Sequence, residues 1–85
     1  MGILIYLSGN YLSLKQKREK ELASLYSWEN LIRQFPNYPE VYYQAAIHAG
    51  NLKDNQKSVE YIEKALLLNP NMDEAKRLRE ELEKL

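Results

Sequence analysis

Three prolines divide the C-terminal part of this chain into short segments, and this division limits what the chain can fold into. Pro36 ends one segment, Pro39 begins the next, and Pro70 separates the last two. Proline is tolerated in the first turn of a helix but not in its interior. Between the prolines, apolar residues recur at intervals of three and four, and no strand pattern of comparable strength is present. The sequence therefore predicts an all-α fold of about four helices.

The first of these helices is predicted to be the longest. The chain contains no proline or glycine between Leu14 and Phe35. We therefore expect one helix over about 12–35. Its apolar residues fall on one side and form a stripe: Leu25, Trp28, Ile32 and Phe35.

Capping residues place the other three helices. A proline suits the first turn of a second helix over about 39–51, and Asp54 is a good N-cap for a third over about 55–68. Asn71 and Glu74 have the spacing of a capping box at the start of the fourth. The apolar stripe predicted for the fourth helix is Ala75, Leu78, Leu82 and Leu85.

The middle of the chain carries a family pattern. From Pro39 it reads PEVYYQAAIHAGNLKDNQKSVEYIEKALLLNPN, with an early aromatic residue, small residues where two helices would touch, and Pro70 in the closing turn. This segment resembles one tetratricopeptide repeat of 34 residues, ending at Met72. The resemblance implies antiparallel helical hairpins, whose packing residues would be Trp28, Tyr42, Ala46, Ser58, Ile62, Ala65 and Pro70.

The resemblance extends upstream by half a repeat. Four residues in and just after the first helix match Ser58, Ile62, Ala65 and Pro70 at an offset of 34 positions: Ser24, Trp28, Leu31 and Pro36. The partner helix expected before them is replaced by an apolar start and a charged run, and the last helix resembles the polar-faced cap of a repeat array. We therefore divide the chain into an extension, 1–21, and a tetratricopeptide-like domain, 22–85.

The resemblance also implies a groove for a protein or peptide along the second helix. The residues facing it would be Glu40, Tyr43, Ile47 and Asn51. The family's best-known clamp for C-terminal carboxylates places lysine and asparagine on that face, where this chain has Tyr43 and Ile47. We therefore expect apolar and aromatic contacts with the partner. Lys53 stands where the family usually has glycine, so an altered turn between the two helices is expected.

The N-terminal segment is not explained by the repeat. It opens GILIYLSGNYLSL and then changes to KQKREKE, which carries four basic and two acidic residues. That charge mixture is typical of a solvated helical spacer, whereas phosphate binding requires denser positive charge. The residues expected to need cover, for self-association or as an anchor, are Ile3, Leu4, Ile5, Tyr6, Leu7, Tyr11, Leu12 and Leu14.

Two functions fit this arrangement. In the first, a cytoplasmic interaction module associates with another copy of itself through the N-terminal residues and exposed helix faces. In the alternative, residues 1–14 are the end of a truncated membrane helix in a bacterial scaffold anchored at the cytoplasmic side. Basic residues after an apolar run have the order expected there, and the junction resembles the membrane-to-coiled-coil boundary of small bacterial division proteins.

The remaining polar residues do not indicate a catalytic, metal-binding or phosphate-binding site. His48 is the single histidine, cysteine is absent, and the three glycines are isolated, so neither a metal site nor a phosphate loop is predicted. His48 is instead expected either to be hydrogen-bonded within the protein or to face solvent. Basic and acidic residues are equal at twelve each, which disfavours nucleic acid. We therefore expect no enzymatic activity, no cofactor and no nucleic-acid partner.

Overall fold

The computed structural model describes the backbone of residues 2–85 and the side chains of residues 14–85. Over these residues the chain forms four α-helices and no strand. The helices are α1 (Gly2–Gln34), α2 (Pro39–Asn51), α3 (Asn55–Leu68) and α4 (Asp73–Glu83). The all-α prediction is confirmed, and the predicted bounds of α2 and α3 match the structure.

The first helix is longer than predicted. It begins at Gly2 rather than near residue 12, and its 33 residues span about 50 Å. At its other end it stops at Gln34, one residue before the predicted end. Phe35 therefore lies in the turn, where its ring meets Tyr38 edge-on with centroids 6.1 Å apart and remains 48% exposed. The prediction that Phe35 continues the apolar stripe of the first helix is therefore wrong.

The core is centred on the antiparallel pair α2 and α3. Small residues let these two helices approach closely, and the hydroxyl of Ser58 donates to the carbonyl oxygen of Ala46 at 2.7 Å. Ile62 and Ala65 on α3 are fully buried, and the Tyr42 hydroxyl donates to the carbonyl oxygen of Pro36 at 2.8 Å. The core therefore links both helices of the pair to the turn that ends α1.

The long helix packs on this pair through its C-terminal half. Leu25 is buried against Ala45 and Ala49 of α2, and the half-buried Trp28 packs against both groups of core residues. The last helix, α4, packs on α3 and meets the core through the buried Ala75. The four helices thus form a layered stack in chain order.

The capping box predicted for the fourth helix is wrong. Met72 is the N-cap residue, and its buried side chain fills the core. The backbone N–H of Asn71 instead donates to the side-chain oxygen of Asn69 at 3.2 Å, which closes a local turn after α3. Leu85 follows the end of α4 and is 81% exposed, so it does not continue the apolar stripe of that helix.

The turn from α2 to α3 forms a Schellman motif. The N–H of Lys53 donates to the carbonyl of Gly50 at 2.9 Å, and that of Asp54 donates to Ala49 at 3.0 Å. The motif places Lys53 in the left-handed region, with φ of 65°. Asp54 then caps α3, as predicted, by accepting from the N–H of Lys57 at 3.1 Å. The turn between α2 and α3 is therefore regular rather than altered, and its backbone strain is at Lys53.

Replacing Lys53 with glycine is expected to raise the free energy of unfolding by about 0.5–1 kcal/mol. The left-handed conformation costs a residue with a Cβ about 1–2 kcal/mol, more than the roughly 0.5–1 kcal/mol of chain entropy that glycine loses on folding. Lys53→Ala keeps the Cβ and should leave stability nearly unchanged. Urea unfolding of the three proteins measures the difference, and a glycine variant less stable than the alanine variant would contradict the assignment of strain.

Candidate protein-binding groove

An open groove of about 530 Å³ lies between α2 and α4. It forms because α4 packs mainly against α3, which leaves the facing sides of α2 and α4 uncovered. Its apolar lining consists of Tyr43, Ala46, Ile47, Leu78, Leu82 and Leu85. Its polar residues are Asn51, Lys53, Asn55 and Glu81. A smaller cavity of about 250 Å³ continues from Tyr43 along α4, past Glu74 and Arg77.

Three of the four predicted groove residues lie together in this space. Tyr43, Ile47 and Asn51 line it from α2. Glu40 is exposed one turn earlier and does not contribute to the lining. Tyr43 and Ile47 are half-buried, which leaves part of each side chain open to a partner.

The opposite wall was not predicted as part of a site. Leu78 and Leu82 were placed on an apolar stripe of the last helix, but their position facing Tyr43 depends on how α4 packs. Both leucines contact the core and are also half-buried. The sequence signal for this wall was the apolar stripe of α4. Because α3 covers only one side of that stripe, its other side is available to line the groove.

The long helix is clamped to α2 beside one end of the groove. Nδ1 of His48 lies 2.6 Å from a carboxylate oxygen of Glu21, and the side-chain amide of Asn51 donates to the other oxygen at 3.2 Å. The hydrogen bond from His48 lowers the pKa of Glu21, with a smaller contribution from Asn51; partial desolvation acts in the opposite direction. His48 was expected either to be hydrogen-bonded or to face solvent, and it forms a hydrogen bond between two helices.

A second polar contact joins α1 to α3. The Tyr61 hydroxyl donates to the carboxylate of Glu29, and Nζ of Lys57 lies 3.2 Å from the same carboxylate oxygen. Burial, reinforced by the nearby carboxylate, raises the pKa of Tyr61 above its ordinary value. The two contacts fix the direction in which α1 leaves the helical stack.

Replacing Glu21 with glutamine is expected to reduce the pH dependence of stability in acid. The pKa of Glu21 is lower in the folded chain than in the unfolded chain. Its stabilising contribution is therefore complete above the unfolded value of about 4.5 and is lost as the pH falls through the folded value. The pair is partly exposed, so the effect should stay below about 1 kcal/mol.

Urea unfolding at pH 6 and pH 3 measures this contribution. The free-energy difference between the unmodified chain and Glu21→Gln should be larger at pH 6. Glu19→Gln, on the exposed side of the same helix, serves as the control. A Glu21 variant whose stability differs from the unmodified chain equally at both pH values would contradict the contact.

The part of the N-terminal segment that the structure describes lies beyond this clamp. Leu14 is 66% exposed and, with Arg18, borders a cavity of about 340 Å³ next to Leu52. Every residue from 14 to 20 is exposed. The other N-terminal residues predicted to need cover lie outside the described side chains: Ile3, Leu4, Ile5, Tyr6, Leu7, Tyr11 and Leu12.

The remaining predicted packing residues are placed as follows. Tyr42, Ala46, Ser58, Ile62 and Ala65 are buried between α2 and α3. Pro70 is exposed in the turn before α4, and Trp28 is half-buried on α1. Among the described residues, no three histidine, cysteine, aspartate or glutamate side chains are grouped so as to hold a metal ion.

Comparisons of the chain with protein-family models, with curated proteins and with solved structures found no match. Within the part of the chain that the structure describes, no helix is both long enough and apolar enough to cross a bilayer.

Proposed function

We propose that this chain is a non-enzymatic protein-interaction module of tetratricopeptide type, cytoplasmic, that associates with other copies of itself. The tetratricopeptide part of the proposal is supported by the antiparallel pair α2 and α3. Their contact runs through Ala46 and Ser58, at positions where the sequence resemblance expects small residues. The self-association part is carried by α1.

The observation that carries self-association is the length of α1. Near Leu14, α1 borders a cavity that is also lined by Leu52 and Lys53. From there the helix continues to Gly2 over about 18 Å. This stretch contains no charged residue and includes seven large apolar residues. An apolar helix of this length presents a surface that another chain can bury.

The exposed charged run between the apolar stretch and the stack supports the same proposal. Residues 15–20 are all exposed, and they separate the apolar stretch from the stack along α1. Four of these residues are basic and one is acidic. A second apolar surface, around Phe35 and Tyr38, lies at the opposite end of α1.

The self-association test uses two full-length double variants that carry the same charge. Leu7→Glu with Tyr11→Glu places two carboxylates four residues apart within the apolar stretch. Ser8→Glu with Ser13→Glu places them at positions that are already polar. By sedimentation velocity, we expect the unmodified chain and the serine variant to associate as concentration rises, and the first variant to remain at the monomer mass of 10.0 kDa. Equal association of all three proteins would contradict the proposal.

The alternative function is a scaffold whose α1 is the remaining end of a membrane helix. The observation that favours it is that α1 runs without a break from its apolar stretch into the basic residues Lys15, Lys17 and Arg18. This alternative predicts a monomer in the absence of lipid and binding to neutral phosphatidylcholine vesicles that the Leu7 and Tyr11 substitutions abolish. Association without lipid favours the first proposal.

A further inference from the structure

We infer that the N-terminal part of α1 from one copy occupies the groove between α2 and α4 of the next copy. This inference rests on the proposed self-association and names the surface that receives the apolar helix. The assembly would therefore be head-to-tail, with one donor helix and one acceptor groove in each chain.

The lengths of donor and acceptor agree. The helix that extends beyond Leu14 spans about 18 Å, and the 11 residues of α4 that form one wall of the groove span about 16 Å. The smaller cavity beside Tyr43 extends the groove along α4. A helix of about three turns therefore fits along the groove.

The chemistry of the two surfaces also agrees. Residues 3–14 carry no charge, and large apolar residues recur at helical spacing along them: Ile3, Leu7, Tyr11 and Leu14. The groove offers Tyr43 and Ile47 on one wall and leucines on the other, and its charged lining residues are Lys53 and Glu81. An apolar helical stripe in an apolar groove is a common mode of helix recognition.

The direction of α1 assigns the helix to a neighbouring groove. α1 is one continuous helix from Gly2, and the clamp between Glu21 and His48 holds it against α2. Its N-terminal end therefore points away from the stack. To reach the groove of its own chain, the helix would have to break and reverse after Leu14, at the loss of its backbone hydrogen bonds. Entering a second copy requires no such change.

A head-to-tail contact has a consequence for the assembly. Donor and acceptor surfaces differ, so each bound copy still offers one free surface of each kind. Association then continues into a filament or closes into a ring. A symmetric contact between two N-terminal helices would instead stop at a dimer.

Ile47→Glu tests the acceptor groove. Ile47 lines the groove but packs against neither group of buried core residues, so a charge there leaves the core intact. Leu67→Glu is the matched control, because Leu67 is 74% exposed on α3 and lies outside the groove. Unchanged helical circular dichroism verifies folding in both. We expect Ile47→Glu to raise the dissociation constant for self-association at least about tenfold, because it places an unpaired charge in an apolar contact. Leu67→Glu should associate as the unmodified chain does.

A mixing experiment tests the head-to-tail arrangement. The Leu7 and Tyr11 double variant keeps an intact groove, and Ile47→Glu keeps an intact donor helix. Each alone should be monomeric at concentrations where the unmodified chain associates. Mixed in equal amounts, they should form a 1:1 complex of twice the 10.0 kDa monomer mass and nothing larger, because both remaining surfaces are blocked.

The outcomes separate this inference from the proposed function. If Ile47→Glu associates as strongly as the unmodified chain while the Leu7 and Tyr11 variant does not, the helices pair with each other. That outcome overturns the inference and leaves self-association intact. A mixture that contains only monomers also overturns it. An unmodified chain that is monomeric throughout overturns both, including the case in which the helix folds back into its own groove.

Discussion

Replacing Ile62 with alanine is expected to reduce the free energy of unfolding by about 2–5 kcal/mol, the range found when a buried aliphatic side chain is truncated to alanine. Ile62 is fully buried and is the largest such side chain among the described residues. It lies in the main core between α2 and α3. The short side chains of Ala46 and Ala65 beside it cannot fill the cavity that the alanine substitution would leave. A chain of 85 residues has modest stability, so a loss of this size should unfold a measurable fraction at 25 °C.

Urea unfolding followed by circular dichroism measures this loss. Ile62→Val removes one methylene and should cost about 0.5–1.5 kcal/mol, which makes it a matched control for cavity size. An alanine variant that loses less than the valine variant would contradict the position of Ile62 at the centre of the core.

Replacing Ala46 with leucine is expected to destabilise the chain by about 1–3 kcal/mol through overpacking. Ala46 is fully buried where α2 crosses α3, and its carbonyl oxygen accepts the hydrogen bond from the Ser58 hydroxyl. A larger side chain would force the two helices apart and lengthen that hydrogen bond. It would also disturb the floor of the groove, which Ala46 lines.

The control for this substitution is Ala23→Leu, at an exposed position of α1. Alanine and leucine have similar helix propensities, so the exposed substitution should change stability by only a few tenths of a kcal/mol. Differential scanning calorimetry of both variants gives the comparison. An Ala46 variant as stable as the Ala23 variant would show that α2 and α3 do not meet at this position.

Local signals explain why the middle of the fold could be predicted. A proline in the first turn of α2 and the N-cap Asp54 of α3 act on the residues next to them, so their effect on the backbone can be read from the sequence. The start of α1 had no comparable signal. Gly9 and Asn10 weaken helix propensity without ending the helix, and the structure continues the helix through them.

The errors at the last helix have a tertiary cause. Asn71 and Glu74 have the correct spacing for a capping box, but Met72 is drawn into the core and becomes the N-cap residue itself. The burial of an apolar side chain outweighs the hydrogen bond that an asparagine cap would provide. Competition of this kind between burial and capping cannot be resolved from the spacing of polar residues alone.

The candidate site could be predicted only from one side. The α2 residues Tyr43 and Ile47 followed from helical spacing and the family resemblance, because both depend on one helix. The facing leucines depend on the angle at which α4 packs on α3. The clamp between Glu21 and His48 joins residues 27 positions apart, and no local pattern indicates such a pair.

This chain is proposed to assemble with copies of itself in the absence of any other partner or of lipid. The most direct test is the weight-average mass of the unmodified chain, measured by static light scattering over a wide range of concentrations in buffer without lipid. We expect the mass to rise with concentration well above the monomer value of 10.0 kDa and to pass the dimer without a plateau, unless a ring closes. A mass that stays at 10.0 kDa at every concentration would contradict the claim.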